Sequence, residues 1–102
     1  TLLTYAASSG MGNMVRFLLD RGAEVDRKHN QGYAPLHFTT TRSYTSVTRL
    51  LLQNGADPNL RCSKGLTPLY NSAKAGDYLS VGILRLYGAD PSSKGEHGYT
   101  PL

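Results

Sequence analysis

Tryptophan is missing from this 102-residue sequence, and cysteine occurs once, as Cys62. A single cysteine excludes an internal disulfide and a cysteine-based metal site, and it suits a reducing compartment. Acidic residues are scarce: 7 Asp and Glu stand against 11 Lys and Arg, for a formal net charge of +4. That excess hints at an acidic partner. No apolar run approaches membrane-spanning length, and the opening residues carry no signal-peptide pattern. Hydrophobic residues make up 39% and charged residues 18%, which excludes a disordered polyampholyte and allows one modest domain.

Catalytic signatures are equally scarce. The stretch GMGNMV from Gly10 lacks the lysine-serine ending of a phosphate-binding loop. His29, His37 and His97 share no metal-ligand spacing. Paired carboxylates at catalytic spacing are not evident. Cys62 is expected at a loop tip as an inert exposed thiol, with Arg61 and Lys64 nearby. The expectation is a non-enzyme with no cofactor and no metal.

Repetition, by contrast, runs through the chain. The phrases FLLDRGAEVDRK, LLLQNGADPNLR and ILRLYGADPSSK place Gly22, Gly55 and Gly88 33 residues apart. Leu3, Leu36, Leu69 and Leu102 keep the same phase, as do Pro35, Pro68 and Pro101. A fixed period of this length indicates stacked supersecondary units. Within one unit, Thr67 before Pro68 reads as a hydroxyl cap with proline at the first helical position. Gly76 ends that short helix, Asp77 caps a second, and Gly88 closes it as a left-handed residue. A Pro, Ser and Gly-rich loop follows. In the first unit Met14, Val15, Leu18 and Leu19 form an apolar face, with Phe17 beside them. Two short helices cannot bury such a face alone, whereas stacked copies can.

These motifs resemble ankyrin repeats, whose pattern opens Thr-Pro-Leu-His and closes Gly-Ala-Asp, then Val or Pro, then Asn. The likeness is strongest at GYAPLH 32–37, NGADPN 54–59, GLTPL 65–69 and GYTPL 98–102. Tetratricopeptide repeats, with a period of about 34 and a tryptophan-containing pattern, do not fit. The resemblance implies an all-α solenoid of helix-turn-helix units with projecting β-hairpin or loop fingers. It divides the chain into repeats 1–33, 34–66 and 67–99, with 100–102 opening a fourth. The missing polar end caps suggest a segment cut from a longer array or multidomain protein.

Departures from the pattern carry their own expectations. The pattern's histidine is present only as His37, expected to be buried and hydrogen-bonded at a helix start. Thr39 and Thr40 occupy the alanine-pair slots, and Ser43 the glycine slot. That reads as drift with local weakness, or as a polar recognition or phosphorylation patch. Gly82 weakens the third repeat's second helix by about 1 kcal/mol relative to alanine. Arg85 replaces Leu19 and Leu52; either Leu86 takes over the packing, or Arg85 marks an outer face turning polar.

The same phase puts Lys28, Arg61 and Lys94 in one slot of successive loops, a basic edge flanked by Arg27, His29 and Lys64. Only Glu96 adds a negative charge near that slot. The ladder is either a solvated rim or a docking edge for an acidic protein segment. The resemblance further implies binding through loop tips and the concave surface of the first helices. Here that surface holds Tyr5, Ser8, Phe38, Thr41, Asn71 and Lys74, with Tyr44 and Tyr78 near the interhelical turns. Tyr33 and Tyr99 share a slot and are expected to be structural. Asn59 resembles ankyrin asparagines that a dioxygenase hydroxylates. The function implied is a non-catalytic protein-interaction scaffold, intracellular and monomeric. Other readings are a targeting module of a larger protein, an enzyme or ubiquitin-ligase adaptor, and a basic nucleic-acid-binding surface, which scattered charges and the missing aromatic-basic motif disfavour.

Overall fold

A computed structural model describes residues 1–29 and 32–91. Among them are α1 (Leu2–Ser8), α2 (Gly12–Asp20), α3 (Pro35–Thr41), α4 (Thr45–Gln53), α5 (Pro68–Ala75) and α6 (Tyr78–Leu86). α1, α3 and α5 line up in one row, and α2, α4 and α6 in a second row behind it. Each helix of one row packs on its own partner and on its row neighbours.

Chemistry at the helix ends explains the boundaries. Thr1 accepts the Thr4 amide and Thr67 the Tyr70 amide through their hydroxyls. Asp77 accepts the Ser80 amide at the start of α6. Gly22, Gly55 and Gly88 hold φ of 90°, 91° and 99° two residues beyond each second helix, just after its C-cap. The amides that follow turn back: Ala23 donates to Leu18, Ala56 to Leu51 and Ala89 to Leu84. These bonds satisfy carbonyls that a helix end leaves open.

The core repeats with the sequence. Leu3, Leu36 and Leu69 are buried in the same slot, and Leu51 and Leu84 share another. Each such leucine is worth about 1.5–3 kcal/mol of apolar burial. Thr39 and Thr40 are fully buried, so their hydroxyls are not a surface patch. Both donate to the Leu36 carbonyl, and Thr48 donates to Thr39 at 2.9 Å. Ser43 adopts φ 60° in the slot where Gly10 and Gly76 hold 71° and 76°.

Several expectations fail for physical reasons. Met14 and Phe17 are exposed, because among the described residues no helix packs beyond α2; the equivalents Val47 and Ile83 are buried against α2 and α4. Leu86 does not take over the packing. It is 85% exposed, while Val81, Ile83 and Leu84 face the core. Of the hairpin or loop forms expected for the fingers, they take the loop form, with no strand among the described residues. Backbone bonds His29–Tyr33 and Cys62–Leu66 close them in equivalent slots.

Candidate functional site

α3, α5 and the ends of the two fingers that precede them line an open groove of about 520 Å³. Its apolar lining comes from Tyr33, Phe38 and Leu66, and its cations from Arg42, Lys64 and Lys74. Phe38 and Thr41 reach it because they lie three residues apart on α3, one helical turn along the same face. Asn71 and Lys74 repeat that geometry on α5. The Tyr33 ring meets His37 edge-on at 6.0 Å and leans on Phe38 at 5.7 Å. Tyr33 therefore ties the finger to α3 while also lining the groove.

His37 fixes the groove floor. Its Nδ1 accepts the Ala34 amide at 2.9 Å, so Nε2 carries the proton and donates to the Leu60 carbonyl at 2.7 Å. One imidazole thus caps α3 and anchors the following finger. Burial lowers its pKa below the ordinary histidine value, with a smaller push from Lys28; the bonds to Leu60 and Leu66 oppose the shift. A buried, doubly bonded ring with a depressed pKa is a structural pin.

Of the residues singled out from sequence, Phe38, Thr41, Asn71, Lys74 and Lys64 come together in the groove. Tyr5 is exposed on α1, and the Ser8 hydroxyl donates back to the Tyr5 carbonyl. Tyr44 is half-buried, its ring lying where a Gly10 side chain would be. Tyr78 is 73% exposed at the start of α6. Neither lines the groove. Arg42, in the slot after Thr41, was missed. It donates to the Ser8 carbonyl at 2.6 Å and bridges α1 to the groove wall. The signal that could have found it is its place one residue past a concave slot.

The basic edge is partly engaged. Lys28, Arg61 and His29 are exposed on the fingers. Arg27 lies 3.6 Å from Glu24, an acid not counted in the sequence reading. Arg61 folds back to donate to the Gly65 carbonyl at 2.8 Å. Lys94, Glu96, His97, Tyr99 and the fourth-repeat start at 100–102 lie outside the described residues. Cys62 is not an exposed thiol: it is 6% exposed. The reason is finger stacking, since a side chain on Gly32 would lie 3.0 Å from the Ser63 amide and 3.7 Å from the Cys62 Cα.

Asn59 is a rung between repeats. Its amide donates to the Gly88 carbonyl at 3.0 Å and accepts the Asp90 amide at 2.7 Å. Asp26, 33 residues earlier, accepts the Asp57 amide in the same way. Burial raises the Asp26 carboxyl; the Asp57 amide works against that, and the Asp57 charge adds to it. Asp57 also accepts the Asn59 amide, the side-chain turn expected for this slot. At Asp77, burial pushes the pKa up. Hydrogen bonds from Ser80 and Thr45 outweigh it and hold the carboxyl below its ordinary value.

A family model described as ankyrin repeats (3 copies) matches residues 3–95. The chain belongs to the ankyrin-repeat family. No curated protein matches it. Ankyrin repeats are in general protein–protein interaction modules and typically non-catalytic. Among the described residues, no helix is long and apolar enough to cross a membrane, and no cluster of metal-ligating side chains occurs.

Proposed function

We propose that this ankyrin-repeat chain is a protein-interaction scaffold whose concave groove takes an acidic protein segment carrying an apolar side chain. The observation that carries this reading is the lining: Lys64, Lys74 and Arg42 ring a floor of Phe38, Tyr33 and Leu66. An apolar anchor supplies affinity and the surrounding cations supply orientation and on-rate. The finger residues Lys28 and Arg61 extend the positive field and steer the same segment, and Lys94 holds their slot in the sequence. Exposed charges steer over about 10 Å at 0.1 M salt, so binding weakens as salt rises. The single cysteine and the family's common setting favour an intracellular location.

The test compares the wild-type chain with Lys64→Glu/Lys74→Glu and with Lys28→Glu/Arg61→Glu/Lys94→Glu in affinity capture. Captured proteins are then measured by calorimetry at two salt concentrations. Loss of at least about tenfold in affinity for the groove variant, with a smaller loss for the finger variant, supports the reading. Equal recovery by all three chains overturns it. A steep salt slope with DNA or RNA that survives both variants would instead mark a general charge effect.

A further inference from the structure

The outer face of α6 departs from its two counterparts. On α2 the outward slots hold Gly12, Asn13, Arg16 and Asp20, and on α4 they hold Thr45, Ser46, Arg49 and Gln53. On α6 the same slots hold Tyr78, Leu79, Gly82 and Leu86. Tyr78 is 73% exposed, Leu79 63% and Leu86 85%. Stacking does not cover these slots: α4 is packed against both α2 and α6, yet Ser46, Arg49 and Gln53 remain exposed. Among the described residues, the apolar stripe on α6 therefore packs against nothing inside the solenoid.

We propose that this stripe is a self-association face, across which two copies of the chain pack α6 against α6 in antiparallel fashion about a two-fold axis near Gly82. Leu79 and Leu86 lie three and four residues either side of Gly82, so a reversed copy sets Leu79 of one chain against Leu86 of the other. Such a patch is complementary to itself, as a two-fold interface requires. Gly82 opens the crossing point: a Cβ there would meet nothing within 4 Å, and two facing glycines let the helix backbones approach. Charge agrees with the reversal. Asp77 caps the start of α6 and Arg85 lies in its last turn, so each acidic end meets a basic end. Tyr78 then falls near the Arg85 guanidinium of the other copy, within reach of a cation–π contact.

The area sets the strength. The exposed parts of Tyr78, Leu79 and Leu86 amount to roughly 400 Å² per copy, or about 800 Å² for a pair, below the standard interface of about 1,600 Å². The dimer is therefore a weak, transient one.

Sedimentation equilibrium of the full chain from about 10 µM to about 1 mM covers the range of weak association. The weight-average mass should rise from monomer toward dimer across the range. Leu86→Asp should raise the Kd at least about tenfold. Gly82→Arg, which restores the arginine of the other two helices, should do the same while the thermal midpoint stays level or rises, because glycine is a poor helix former. That second variant separates loss of the face from loss of folding. A monomer mass throughout the range overturns the proposal. So does a dimer that both variants leave intact. A monomeric chain whose Leu86→Asp variant loses a different protein assigns the face to that protein and likewise overturns self-association.

Discussion

Removing the hydroxyl of buried Thr39 alone should cost more than removing it together with that of Thr48. Thr48 donates to Thr39 at 2.9 Å, and Thr39 donates to the Leu36 carbonyl at 3.2 Å. Both residues are fully buried. Thr39→Ala leaves the Thr48 proton without its acceptor, a penalty of about 1–3 kcal/mol. Thr48→Val keeps the Thr39 donation and removes a buried hydroxyl, so it should fall within about 1 kcal/mol of wild type. The double variant restores the alanine and valine that the first repeat carries as Ala6 and Val15. It should recover most of what Thr39→Ala loses, giving a coupling on the order of 1–2 kcal/mol. Urea unfolding followed by far-UV circular dichroism reads all four corners, since the chain has no tryptophan. Additivity within about 0.5 kcal/mol would refute the reasoning, because the hydroxyls would then act independently.

Ser43→Gly should stabilise the chain by about 0.5–1 kcal/mol, since the left-handed backbone costs a serine about 1–2 kcal/mol and glycine's extra unfolded freedom returns part of that. Unfolding midpoints of the variant and its converse, Gly76→Ser, check this, and a fall in the first rejects it. His37 is held below its usual pKa, so the unfolded chain binds the extra proton. Stability is whole above the unfolded value of about 6.5 and is lost as pH falls through it toward the folded value. Thermal midpoints between about pH 7 and pH 5 should decline, and His37→Thr should be less stable at neutral pH but lose this part of the slope. Asn59→Ala removes both bonds to the third repeat and should cost about 1–3 kcal/mol in urea unfolding; a variant within about 0.5 kcal/mol of wild type would show the rung to be dispensable.

The periodic features were legible because they rest on local backbone chemistry. A left-handed turn asks for glycine, so Gly22, Gly55 and Gly88 announced their helix ends before any packing was known. The concave slots were legible for a similar reason: side chains three residues apart on a helix share a face, as Phe38 and Thr41 do. Position within the stack was harder to read. Met14 and Val47 occupy one slot, but only Val47 has a helix on both sides of its own. Cys62 misled because a loop position was equated with exposure, whereas the neighbouring finger at Gly32 lies over it. The charge count along the basic edge misled because it counted only Glu96, whereas Glu24, three residues before Arg27, lies 3.6 Å from its guanidinium. Of the two readings that Arg85 in a leucine slot left open, packing by Leu86 fails because the helix phase points Leu86 away from the core.

The covered thiol of Cys62 gives the protein its own stopwatch. A sulfhydryl reagent reaches that sulfur only when the second finger parts from the first, so the rate of labelling in native buffer reports how often neighbouring repeats come unzipped. An occupied groove would slow the reaction, turning one atom into a gauge of whether a bound segment clamps adjacent fingers together.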